Sequence, residues 1–173
     1  MHRARWNVPT WTLKAGTPLY HGTSDAEFDP VSDGIEAGFW VSDSEQVARR
    51  FAQNLGATLP RRGSGDPPVV HVFVLTRDVA LPSISSASAM RAFSEDHDLD
   101  RSGVEGIRES MTAAGLPGWI IPSNYPEGAD ILLMDADEVL SYSHTLGEPA
   151  LSSDEAVEEE HTDAALRQRP GQE

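Results

Sequence analysis

The sequence predicts an α+β domain with sheet packed on sheet, followed by an acidic tail. Short apolar runs recur along residues 1–147, bounded by turns rich in glycine, proline and serine. Between them lie two or three segments with helix start and stop signals, and such a mixture of short elements is typical of α+β cores. The composition then changes: residues 148–173 hold eight acids against two arginines, with Leu151, Val157 and Leu166 as the larger apolar residues. That segment buries too little apolar surface to offset its ordering entropy, so a disordered or loosely helical tail is expected. Its alanines and glutamates between Asp154 and Leu166 suit a short helix that a binding partner would order.

Each element has a local reason. Thr17-Pro-Leu-Tyr-His-Gly reads as a strand running into a glycine turn, and Gly38-Phe-Trp-Val-Ser as a second apolar strand. A helix follows from Asp43, with Ser42 or Asp43 as its cap and Glu45 and Gln46 in its first turn. Val47 and Phe51 lie four apart on one face of it. Ala57–Pro68, rich in Pro, Gly and Arg, is expected to be an exposed loop. Val69–Leu75 is β-branched and nearly all apolar, hence a strand. Ser102–Ala114 reads as a helix stopped by Gly115. Gly118–Pro122 is a strand, Ser123–Gly128 a turn-rich loop, and Ala129–Asp135 the last strand.

Charge and composition remove several function classes. The chain of 173 residues carries 28 acids against 13 bases, a formal net charge of −15. Such a field repels phosphate backbones and anionic lipid, which disfavours nucleic-acid and membrane partners. A local patch of Arg49, Arg50, Arg61 and Arg62 is the exception. There is no cysteine, which excludes a disulfide framework, a thiolate metal site and a thiol nucleophile. No apolar run is long enough for a transmembrane helix, and the basic start lacks the apolar stretch of a signal peptide. A cytoplasmic protein is expected, with delivery into another cell by a route without a cleaved signal left open.

Three segments carry residues suited to chemistry. In Leu19-Tyr-His-Gly-Thr-Ser, a histidine at a strand end can present its imidazole to a cleft while Gly22 lets a ligand approach the backbone; an ordinary strand-to-turn junction is the alternative. Trp40 and Phe51 can form two walls of a slot for a flat ring, or simply pack in the core. Glu127-Gly-Ala-Asp130 places carboxylates where a last strand begins, able to accept hydrogen bonds from sugar hydroxyls or to stabilise charge on a sugar carbon; a solvated acidic loop is the alternative. Elsewhere, Arg61-Arg-Gly-Ser-Gly-Asp lacks the Gly-Lys-Ser/Thr of a phosphate loop, and Ser83–Ser88 lacks a hydrolase elbow. His71 lies inside a strand and reads as structural. Asp96, His97, Asp98 and Asp100 lack calcium-loop spacing, so no metal is expected.

In order and spacing, these segments resemble the ADP-ribosyltransferase fold, in the His-Tyr-Glu branch shared by poly-ADP-ribose polymerases and diphtheria-type toxins. The chain is similar to small bacterial and phage-encoded transferases of that branch. His21-Gly22-Thr23 matches its first motif. Gly38-Phe39-Trp40-Val41-Ser42 matches the second, with Phe51 eleven positions after Trp40 on the helix behind it. Asp130-Ile131-Leu132-Leu133-Met134-Asp135, followed by Asp137-Glu138-Val139, matches the third. Trp40 stands where the family has tyrosine and Asp130 where it has glutamate. The resemblance spans residues 17–142 and implies a split β-sandwich of short strands with a few helices.

The resemblance further implies a site for NAD⁺ as co-substrate. His21 would hydrogen-bond the adenosine ribose, Gly22 would hold the nicotinamide amide through its backbone, and Thr23 and Ser42 would support the same pocket. Trp40 and Phe51 would sandwich the nicotinamide ring. Asp130 would be the catalytic carboxylate, with Glu127 acting instead of it or beside it, towards the acceptor. The implied activity is mono-ADP-ribosylation of a protein acceptor, with release of nicotinamide. The alternatives are an NAD⁺ glycohydrolase toxin and an inactive module that binds a nucleotide or a partner.

Overall fold

The computed structural model describes residues 6–23, 28–58 and 69–147. In chain order its elements are β1 (Thr10–Leu13), β2 (Pro18–Thr23), β3 (Phe39–Ser42), α1 (Glu45–Thr58), β4 (Val69–Leu75), β5 (Val79–Pro82), α2 (Ala87–Asp96), α3 (Val104–Ala114), β6 (Gly118–Tyr125), β7 (Gly128–Leu133), α4 (Ala136–Val139) and β8 (Leu140–Leu146). The fold is α+β, with antiparallel sheets and, among the described residues, four helices.

Six strands form one sheet in the order β6-β7-β3-β2-β4-β8, while β1 and β5 form a separate pair. Period-two alternation sends Leu19, Val41, Phe73 and Ile131 to one face of the large sheet, where they meet Leu13, Val79 and Leu81 of the small one. Residues of the two sheets thus share one buried cluster. Phe73 is fully buried there, and truncating such a side chain to alanine costs roughly 3–5 kcal/mol. On the opposite face, Trp119 and Leu132 pack under α2 and α3 through Met90, Phe93 and Met111. Helix α1 covers the remainder of that face with Val47, Ala48 and Ala52.

The large sheet is nearly two sheets. Strands β2 and β4 share six register pairs and β3 and β7 share four, but β2 and β3 share the single pair Tyr20–Ser42. Beyond that pair the halves β6-β7-β3 and β2-β4-β8 diverge, leaving a seam that α1 spans. At the far edge, β8 pairs with β4 along its length, from Val70–Leu146 to Leu75–Leu140.

Several elements differ from expectation. Neither Ser42 nor Asp43 caps α1: the helix starts at Glu45, and Ser44 stands at its cap, its Oγ accepting from the Val47 amide at 3.4 Å. That helix continues to Thr58, into the segment expected to be a loop, whose residues 59–68 lie outside the described part. Strand β6 extends past Pro122, where an edge position tolerates the missing donor and the register becomes irregular before Tyr125. Strands β1, β5 and β8 and helices α2 and α4 are additional elements. The expected helix α3 stops at Gly115 as its sequence requires. The acidic tail, residues 148–173, lies outside the described residues.

Candidate active site

The seam between β2 and β3 opens into a narrow cleft. It is lined by Tyr20, His21 and Gly22 of β2, Trp40, Val41 and Ser42 of β3, Val47, Ala48 and Phe51 of α1, Tyr125 of β6 and Asp130 of β7. A wider groove continues from it, sharing His21, Trp40 and Phe51 and reaching Thr23, Phe28, Gly38 and Arg108. Residues from all three sequence motifs thus meet at one place. Thr23 borders the groove, whereas Glu127 stands outside both sets of lining residues.

Gly22 is where β2 and α1 touch. A Cβ built on it would lie 1.8 Å from the carbonyl oxygen of Ala48, so no other residue lets the helix sit this close. Gly22 and His21 both lie within β2, whose last residue is Thr23. The approach of α1 brings Phe51 to the mouth of the cleft. Phe51 remains 42 % exposed while Val47, one turn earlier, is 3 % exposed. Core packing therefore accounts for Val47 and not for Phe51. Trp40 is half-buried, held edge-to-face against Trp119 at 5.9 Å between ring centroids.

His21 closes the seam where backbone pairing ends. Its Nδ1–H donates to the carbonyl oxygen of Trp40 at 2.7 Å, and its ring stacks on Phe39 at 4.3 Å. A carbonyl only accepts, so Nδ1 carries the proton and Nε2 of the neutral ring is an acceptor. Burial holds the His21 pKa below its usual value, more strongly than the Trp40 carbonyl raises it; nearby His71 lowers it further. His71 lies nearly parallel to it, 6.5 Å away, with Nδ1 bonded to Thr145 Oγ1 at 2.8 Å. Burial lowers its pKa too, partly opposed by the Asp29 carboxylate.

Asp130 is held by its neighbours' hydrogen bonds. It stands opposite Ser42 in the β3–β7 register, on the face that carries Trp40. Ser42 Oγ donates to the Ala129 carbonyl at 2.6 Å and accepts from the Ser44 amide at 3.1 Å. The Asp43 carboxylate accepts from the Ala129 amide at 2.8 Å. Both backbone groups of the residue before Asp130 are thus tied to the end of β3. Glu127, in the β6–β7 turn, pairs instead with Arg50 of α1 at 2.7 Å. Arg49 pairs with Glu45 and also donates to the Gly147 carbonyl, so half of the basic patch is engaged internally. Its other half, Arg61 and Arg62, lies outside the described residues.

No family model matches the chain, and no curated protein does. Comparison with solved structures finds the crystal structure of the M. tuberculosis MbcT–MbcA toxin–antitoxin complex, at a TM-score of 0.46 and 16 % identity, covering 78 % of this chain and 85 % of that one. Similarity at this level says nothing of chemistry, which rests on the cleft itself. Among the described residues, no helix is long and apolar enough to cross a membrane, and no group of three or more His, Asp or Glu is placed to hold a metal ion.

Among the lining residues that the sequence analysis did not place at the site are Tyr20, Tyr125 and Arg108. Tyr20 shares a strand face with Gly22, a relation that period-two alternation would have revealed. Tyr125 and Arg108 reach the site only through the packing of β6 and α3, which no local pattern encodes.

Proposed function

We propose that the chain binds NAD⁺ as co-substrate in the cleft and its groove, within a split β-sandwich of the ADP-ribosyltransferase type, and acts as a mono-ADP-ribosyltransferase on a protein acceptor. The observation that carries this reading is the convergence of His21, Gly22, Trp40, Phe51 and Asp130 on one seam, from strands and a helix far apart in sequence. A half-exposed aromatic on α1 facing a cleft whose other wall holds Trp40 suits a flat pyridinium ring. A neutral histidine with an acceptor nitrogen suits a ribose hydroxyl. The nicotinamide amide is assigned to the backbone of Gly22, which lines the cleft.

In the reaction, the bond between nicotinamide nitrogen and the ribose carbon breaks, and its electron pair goes to the nitrogen. Positive charge develops on the sugar. Asp130, accepting a hydrogen bond from the ribose hydroxyl, favours that charged state over the neutral bond. The acceptor then forms a bond to the sugar carbon and gives up a proton. Ser42 and Asp43 act through Ala129, fixing the strand that carries the carboxylate.

A second reading has water as the acceptor, making the protein a glycohydrolase toxin. The Arg50–Glu127 ion pair favours it, because the carboxylate best placed to steer a protein acceptor is already matched by a cation.

Incubation with NAD⁺ labelled in the ADP-ribose half separates the readings. Label on protein supports transfer, and free nicotinamide with unlabelled protein supports hydrolysis. NAD⁺ should also raise the unfolding temperature, since a ligand of the folded state stabilises by mass action. His21→Ala should remove most of that rise. An unchanged melting curve at millimolar NAD⁺ overturns the proposal.

A further inference from the structure

We infer that Arg108 is the anion-binding residue of the wide groove, receiving the diphosphate of the dinucleotide, and that Glu36 holds it while the groove is empty. This rests on the NAD⁺ reading above and supplies the half of the ligand for which that reading names no charged partner.

The groove shares His21, Trp40 and Phe51 with the narrow cleft, so a ligand whose ring sits between the aromatics extends along it. Its lining includes two acids, Asp33 and Glu36, and among the described residues a single Lys or Arg, Arg108. An anionic diphosphate entering an acidic groove of a protein with net charge −15 requires a cation there. Arg108 is aimed by a motif glycine. Gly38 has φ +75°, and a Cβ on it would lie 2.8 Å from Arg108 Cγ and 3.1 Å from Nε. The arginine stem therefore passes over the glycine just before β3, where a Cβ would force the stem to shift.

The guanidinium is incompletely used. Nη1 donates to Glu36 Oε2 at 3.0 Å, whereas Nε is buried with no hydrogen-bond partner. The Glu36 side chain is 78 % exposed and that of Arg108 31 % exposed, so the pair sits at the rim. Exposed pairs of this kind contribute little. A planar guanidinium with an unused N–H matches phosphate oxygens by two parallel bonds, a stronger arrangement. A diphosphate thus displaces Glu36 rather than competing with a dedicated buried pair.

The test is calorimetric binding of NAD⁺ and of nicotinamide riboside, which keeps ring and ribose but has no phosphate. It uses the full chain as wild type and as Arg108→Gln, Arg108→Lys and Glu36→Gln. Loss of a charge-assisted contact predicts that Arg108→Gln weakens NAD⁺ by about tenfold or more. Arg108→Lys should recover part of that loss, and Glu36→Gln should tighten NAD⁺ by about twofold or more. The riboside should be indifferent to all three. Arg108→Gln binding NAD⁺ like wild type overturns the inference while leaving the cleft reading standing. Equal weakening of NAD⁺ and riboside by Arg108→Gln also overturns it, because a merely structural arginine would behave that way. A wild-type chain that binds neither ligand overturns both.

Discussion

The imidazole of His21 is hydrogen-bonded to the backbone carbonyl of Trp40, across a seam where their strands share no register pair beyond Tyr20–Ser42. A side chain here does what a ladder bond does elsewhere, and leaves the strand edges parted. The same ring must stay neutral to offer its other nitrogen, which ties the state of the site to pH.

Both His21 and His71 have folded pKa values held below the usual 6.5, chiefly by burial. In that range the unfolded chain binds more protons than the folded one, so acid favours unfolding. Stability should be full above about pH 6.5 and fall as pH drops through the lowered values. Thermal melts at pH 7.5 and 5 should show this decline, and His71→Gln should flatten it. A melting temperature independent of pH in that window would count against burial as the controlling influence.

Gly22→Ala places a methyl group against the Ala48 carbonyl, and neither backbone can move without parting β2 from α1. Overpacking of this kind costs typically 1–3 kcal/mol, occasionally more. Denaturant unfolding should show a loss at the upper end, and the stabilisation by NAD⁺ should vanish even at temperatures where the variant is folded.

Ser42→Ala removes a buried hydroxyl that donates to Ala129 and accepts from Ser44. Leaving such buried partners unpaired costs about 1–3 kcal/mol. Since Asp130 follows Ala129 directly, the rate of nicotinamide release should fall with little change in KM. A KM effect alone would place Ser42 against the ligand instead.

The two carboxylates should separate cleanly. Asp130→Asn should lower nicotinamide release and ADP-ribose transfer together, by roughly 10²–10³-fold, as expected for one lost electrostatic stabiliser. Asp130→Glu should also be slower, because the pocket is built around the shorter acid. Glu127→Gln should lower transfer while slow hydrolysis persists, and Arg50→Gln should shift the balance of transfer and hydrolysis because it frees the same carboxylate. If Glu127→Gln abolishes both reactions and Asp130→Asn spares them, the roles are reversed.

The parts of the fold legible from sequence are those with strong local signals. Val69–Leu75 is apolar almost throughout, α3 ends on Gly115, and β3 and β7 are short apolar runs beside glycines. The additional elements lack such signals. Thr10–Leu13 buries only Leu13, so it reads as a polar stretch until β5 lies beside it. In β8, Ser141, His144 and Thr145 interrupt the apolar pattern because much of that strand faces solvent. Helix α2 is obscured by serines, one of which, Ser86, is its cap. At the site, Gly22 and the strand residues around it are set by local backbone constraints. The ion pair of Glu127 with Arg50 is not local, because Arg50 is brought to it by the packing of α1 over the seam.

The pairing of β8 with β4 has a consequence for synthesis. Strand β4 is a run of seven residues, Val-Val-His-Val-Phe-Val-Leu, with neither proline nor a formal charge to discourage association. During translation it emerges well before Leu140–Leu146, and for that interval its outer edge is an open template for another nascent chain. The last strand is therefore a guard against intermolecular pairing as much as a part of the sheet. A chain cut before Leu140 should precipitate on expression, whereas one cut after Gly147 should remain in solution.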